Sequence, residues 1–126
     1  IAFPYSLNKL THSKTRYALF RTLYDEEQDI QLGGVTTEWL CAAHEAMHKI
    51  EDSAKAITTP MLVFSADGDS IIDNKRQRRV VQNMPNAELE IVPRAYHELF
   101  TESDALREPT LIRLCDYLSH GLSNGA

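Results

Sequence analysis

After Pro60 the chain alternates short apolar runs with amphipathic stretches, and this rhythm constrains the fold more than any other feature. Thr58-Thr59-Pro60 stops helical structure, because Pro60 biases Thr59 to an extended conformation. The apolar run 61–66 then reads as a strand covered on both faces. Asp73 can cap a helix through about Asn83, Met84-Pro85-Asn86 is a turn, and residues 88–93 form a second strand. Ser103 or Asp104 opens a terminal helix that places Leu106, Leu111, Leu114, Cys115 and Leu118 on its inner side. Strand, helix, strand, helix with short connections implies an α/β architecture with parallel strands and right-handed crossovers.

Sheets of that kind bind ligands beyond the carboxyl ends of their strands. Two polar segments fall there, Asp67-Gly68-Asp69 after the first strand and Arg94-Ala95-Tyr96-His97-Glu98 after the second. An acid and a histidine so placed can form an orienting pair, the acid accepting the Nδ1 proton so that Nε2 faces a nucleophile. Spacing by itself favours a plain polar turn and an ordinary loop histidine. It also leaves Asp67 in competition with Asp69, whereas Asp73 is accounted for as a cap.

The first 57 residues are helix-rich and strand-poor. Ser13 can cap a helix carrying Tyr17, Phe20, Leu23 and Tyr24 at helical spacing, which the acidic run 25–29 ends. Gly33-Gly34 marks a turn. Thr36 or Thr37 can cap the next helix, with Glu38 in the dipole-favoured first turn and Trp39, Leu40, Ala43, Met47 and Ile50 as its apolar stripe.

Composition excludes several functions. A net charge of -5 argues against nucleic acid, and the basic cluster Lys75–Arg79 reads as the solvated face of a helix. Cys41 and Cys115 lack CxxC spacing and read as free thiols in a reducing, cytoplasmic setting. No apolar stretch approaches the roughly 18 residues of a membrane span. The opening Ile1-Ala2-Phe3-Pro4 has no initiator Met and no signal-peptide pattern, which suggests a piece of a longer protein.

Two further patterns compete for a catalytic role. His44-Glu45-Ala46-Met47-His48 is an HExxH, in which His44 and His48 could bind zinc while Glu45 activates water in a metallopeptidase. Lys49 follows the second histidine and a third ligand is unclear, so the segment reads better as an amphipathic helix with no metal. Gly121-Leu122-Ser123-Asn124-Gly125 is a formal GxSxG. It follows a helix instead of a strand and lacks the helix that a nucleophile elbow requires, so it reads as a frayed terminus.

The segment Thr59–Phe64 followed by Asp67–Asp73 resembles the acid-bearing segment of α/β-hydrolases of the monoacylglycerol lipase and lysophospholipase group, and Ala95–Glu98 resembles their histidine segment. Asn8–Tyr17 and Gly33–Trp39 are similar to the cap region of bacterial lysophospholipases. The likeness runs across nearly the whole chain in the expected order. It implies the C-terminal part of an α/β-hydrolase fold, with a helical cap over residues 1–57 and core over 58–126. Asp69 would be the triad acid and His97 the general base. Tyr17, Phe20, Trp39, Leu40 and Met47 would border an acyl-binding cleft.

The resemblance also implies a lysophospholipid or monoacylglycerol substrate, no cofactor, and a nucleophilic serine upstream of this chain. The fragment alone would be inactive, and contact with the inner membrane surface would be peripheral. Half of a doubly wound sheet exposes an apolar edge, so self-association or a partner carrying the N-terminal half is expected. A non-catalytic interaction module on the same half-fold is the third possibility, beside the hydrolase and the zinc peptidase.

Overall fold

The structure is a computed structural model that describes residues 3–123, with side chains described through His120. Its elements run α1 (Lys14–Glu26), α2 (Thr37–Ser53), β1 (Met61–Ala66), α3 (Asn74–Asn83), β2 (Ala87–Val92) and α4 (Asp104–Ser123), joined by short 3-10 turns. The caps follow the sequence. Ser13 accepts from the Arg16 amide, Thr36 from Trp39 and Asp73 from Arg76, each satisfying an otherwise orphaned helical N–H. The second strand begins at Ala87, one position earlier than its sequence pattern suggests. Of the terminal GxSxG, Gly121 to Ser123 finish α4, and Asn124 and Gly125 lie outside the described residues.

β1 and β2 pair in parallel, with Met61 opposite Ala87 and Ala66 opposite Val92. This register puts Leu62, Phe64, Ala66, Glu88, Glu90 and Val92 on one face, and Met61, Val63, Ser65, Leu89 and Ile91 on the other. α3 packs against the second face, where Asn74 and Gln77 hydrogen-bond to Ala66 and Phe64 carbonyls. α4 serves the first: Leu106 packs on Ala66, Val92 and Ala95, and Arg113 pairs with Glu88 and Glu90. The acidic residues of β2 are thus paired with a guanidinium and stay partly open to solvent where an apolar strand would meet leucines.

Two expectations need correcting. Only Ser65 and Ala66 of β1 are buried, while Met61 to Phe64 are half-buried. A sheet of two strands leaves both edges open, and the helices reach only part of each face. On α4, Leu106, Leu111 and Leu114 are half-buried, but Cys115 and Leu118 are exposed, because the helix meets the sheet through Thr110 and Arg113.

Among the described residues, two polar seams join the first 57 residues to the rest. Glu51 of α2 pairs with Arg76 and Arg79 of α3. Residues 9–16 run against residues 96–104, and this second seam lies beneath the histidine segment.

Candidate active site

Asp69 and His97 are brought together by a backbone junction between the two loops that follow the strands. The Asp67 amide donates to the Val92 carbonyl and the Gly68 amide to the Ala95 carbonyl, both at 3.0 Å. Contact is tight enough to require glycine. A Cβ at position 68 would stand 2.9 Å from the carbonyl oxygens of both Arg94 and Ala95. On the opposing side Arg94 adopts φ 63°, a left-handed conformation that costs a non-glycine residue roughly 1–2 kcal/mol. That strained turn is held by the buried Ala95 next to it.

The junction leaves Asp69 Oδ2 2.8 Å from His97 Nδ1. The other oxygen, Oδ1, accepts from the Ile71 and Ile72 amides at 2.7 and 3.3 Å. Burial alone pushes the Asp69 carboxyl up. The bonds from His97 and from the two amides outweigh it, and the carboxyl lies below its usual range. An ionised Asp69 only accepts, so His97 Nδ1 must be the donor, which makes Nε2 of a neutral imidazole a free acceptor. Asp69's side chain is 4% exposed and that of His97 28%. The carboxylate is sequestered and the imidazole remains reachable.

Asp67 points elsewhere, pairing with Arg78 of α3 at 3.0 Å. Asp73 caps α3, as its position suggested. Geometry therefore separates the three acids that spacing left in competition.

The remaining candidates do not converge. Tyr17 is buried, its hydroxyl donates to the Phe3 carbonyl, and with Phe20, Leu10 and Thr101 it lines a small cavity. Met47 borders a separate apolar groove between α2 and α3, with Ile50, Val63, Ile72 and Val80. Trp39 and Leu40 stand exposed on α2 at 58% and 52%. His44 and His48 face each other with their Nε2 atoms 3.1 Å apart. The Arg76 guanidinium lies 3.3 Å from His48 Nδ1, and among the described residues no third His, Cys, Asp or Glu completes a metal-binding group.

Two residues that sequence reasoning missed support the loop. Glu102 is fully buried and accepts four hydrogen bonds, from the Tyr96, His12 and Ser103 amides and from His12 Nδ1. His12 stacks on Tyr96 with ring centroids 3.8 Å apart. In sequence, Glu102 is one more acid in Thr-Glu-Ser-Asp before a helix, where it reads as capping context. The available signal was its place one residue after the apolar Leu99–Thr101 turn, beside a histidine loop.

An acid and a histidine hydrogen-bonded beyond the carboxyl ends of adjacent parallel strands, with helices on both faces, mark an α/β-hydrolase-type arrangement. The family described as serine aminopeptidase, S33, matches residues 2–104, and the chain belongs to it. It is 30% identical over 112 residues to the probable lysophospholipase L2 of Haemophilus influenzae, covering 89% of this chain and 36% of that protein. It is 27% identical over 125 residues to lysophospholipase L2 of Escherichia coli strain K12, covering 94% of this chain and 37% of that protein. The chain thus spans a little over a third of the length of these relatives. No helix among the described residues is long and apolar enough to cross a membrane.

Proposed function

We propose that this chain is the C-terminal part of a lysophospholipase-like serine hydrolase, with residues 1–57 as its helical cap and 58–126 as the end of its core. The reading is carried by one observation, the 2.8 Å contact between Asp69 and His97 Nδ1. His97 Nε2 takes the proton of an upstream serine as its oxygen attacks the acyl carbonyl of an ester, then returns it to the departing alcohol. Asp69 holds the imidazole in the tautomer that leaves Nε2 free and stabilises the imidazolium that forms. The relatives' names favour a lysophospholipid ester over a peptide. A lipid substrate makes peripheral membrane contact and a place at the cytoplasmic face reasonable.

Tyr17, Phe20, Trp39, Leu40 and Met47 belong to the cap in this reading; Tyr17 is buried within it, and the exposed apolar surface of the other four faces the acyl chain or the upstream part of the protein. Support for the latter comes from the exposure of Leu32, Val35, Trp39 and Leu40, four large apolar side chains left uncovered within one short stretch of chain. The 126-residue chain alone is then inactive and associates with itself or with the missing portion. A clean monomer in sedimentation that still unfolds cooperatively would contradict that part.

The deciding experiment uses the full-length protein, with its upstream residues in place. A fluorophosphonate probe should label one serine, labelling should be lost in His97→Ala, and lysophosphatidylcholine should be hydrolysed. Absence of label in the unmodified protein would overturn the hydrolase and favour a non-catalytic interaction module. Cleavage of an aminoacyl anilide in preference to the lipid would keep the serine mechanism and replace the substrate.

A further inference from the structure

The histidine loop is tethered on two sides. On the side of Asp69 it is held by the Gly68–Ala95 bond and by the Asp69–His97 pair. On the other side His97 itself has only a long bond, from its amide to the Lys9 carbonyl at 3.4 Å. The strong links there lie at its neighbours: Glu98 N to Leu10 O at 2.9 Å and Tyr96 N to Glu102 Oε1 at 2.8 Å. Glu102 Oε1 also takes His12 Nδ1 at 2.7 Å, and Oε2 takes the amides of His12 at 2.9 Å and Ser103 at 2.8 Å. One carboxylate therefore joins the histidine loop, the 9–12 segment and the start of α4.

The chemistry of this junction is specific. A carboxylate offers about four acceptor positions and no donor. All four partners of Glu102 are N–H groups, two to each oxygen. A glutamine has the same shape but would turn an NH2 group toward two of those donors. Arg16 reinforces the same residue by donating to the Glu102 carbonyl, and it also pairs with Asp104.

We propose that Glu102 is a positioning residue for His97: its buried carboxylate fixes the Tyr96 amide against the 9–12 segment and thereby holds the imidazole on Asp69. The proposal rests on the hydrolase reading above. A partly exposed imidazole has rotamers to lose, and the Asp69 bond alone does not determine the backbone that carries it. A displacement of about 1 Å at a reacting group costs on the order of 10²-fold in rate, so a support of this kind acts on catalysis without touching substrate.

The test is the ring tautomer of His97 in the full-length protein, read from its two imidazole 15N shifts above the imidazolium range. The unmodified protein should hold His97 as the Nδ1–H form. Glu102→Gln should release it to the mixture of an unconstrained imidazole, with the amide spectrum of β1, α3 and β2 unchanged, and kcat should fall about 10²-fold with KM unchanged. A folded Glu102→Gln protein that keeps the Nδ1–H form overturns the proposal, because shape alone would then suffice. Should that variant not fold, Glu102→Asp serves the same purpose. It keeps the charge but is one methylene too short to reach all four donors, and retention of the tautomer is again decisive against the proposal. If the unmodified protein already shows an unconstrained His97, the Asp69–His97 pair itself is wrong and the hydrolase reading falls first.

Discussion

Two histidines here meet a carboxylate through Nδ1 at almost the same distance, His97 with Asp69 at 2.8 Å and His12 with Glu102 at 2.7 Å. Their surroundings differ in kind. Asp69 spends one oxygen on its own loop, the Ile71 and Ile72 amides, and keeps the other for the imidazole. Glu102 divides its oxygens among four N–H groups drawn from three separated stretches of chain. Among the described residues no donor reaches the outward nitrogen of His97, whereas the His12 ring is stacked on Tyr96. Under the proposed reading, equal hydrogen bonds serve unlike ends: the Asp69 pair leaves one nitrogen free to act, and the Glu102 pair keeps segments from moving.

The comparison is broken most severely if activity and stability do not separate. Asp69→Asn in the full-length protein should lower lysophospholipid hydrolysis by about 10⁴-fold, the scale of losing the orienting acid in a serine triad. Thermal stability should change by only about 1 kcal/mol, since an asparagine oxygen can still accept from Ile71 and Ile72. Glu102→Ala should behave in the opposite sense. It orphans four donors around a buried site and should cost about 3–5 kcal/mol in denaturant unfolding. An Asp69 variant that unfolds, or a Glu102→Ala variant as stable as the parent, would erase the distinction.

Acid titration sharpens the same contrast. Burial raises the Glu102 carboxyl, but the Tyr96, His12 and Ser103 amides and the His12 ring lower it more, and its folded pKa lies below the usual range. A depressed folded pKa contributes stability that is present above the unfolded value, about 4.3 for glutamate, and lost as pH falls through the folded one. Stability measured from pH 6 down to pH 2 should therefore decline more steeply in the parent than in Glu102→Gln, which has no proton to take up there. Parallel curves would show that Glu102 gains nothing from being charged. Gly68→Ala comes next in size. Its methyl would crowd two backbone oxygens, and about 2 kcal/mol of destabilisation is expected, together with loss of the Asp69–His97 contact.

What was legible in the sequence follows from which interactions are local. Caps at Ser13 and Asp73, the break at Pro60 and both strands depend on neighbours within a few positions and read directly. At the second helix the sequence left Thr36 and Thr37 both open, and the structure caps with Thr36. The strand ends placed Asp69 and His97 side by side because parallel pairing puts the ends of successive strands together. Glu102 was illegible for the opposite reason. Its partners at His12 and Tyr96 come from remote or irregular segments, and no periodicity announces that an acid before a helix turns inward. The exposed flank of β1 failed differently: its sequence describes a strand covered on both faces, and the described residues supply cover for only part of it.

The smallest effect is the most pointed. Asp67 and Asp69 are separated by a single glycine, and spacing could not choose between them. Asp67 pairs with Arg78 at 3.0 Å on a surface where its side chain is 53% exposed. Ion pairs in such positions contribute about 0.2–1 kcal/mol, because both partners are well hydrated when apart. Asp67→Asn should therefore change unfolding free energy by no more than about 0.5 kcal/mol and leave hydrolysis by the full-length protein at the parental rate. A large loss of activity would mean that the acid serving His97 in the working protein is Asp67, reached by a rearrangement of the 67–69 turn. A null result, beside the loss expected for Asp69→Asn, assigns the role to the one carboxylate of the two whose oxygen already meets the imidazole.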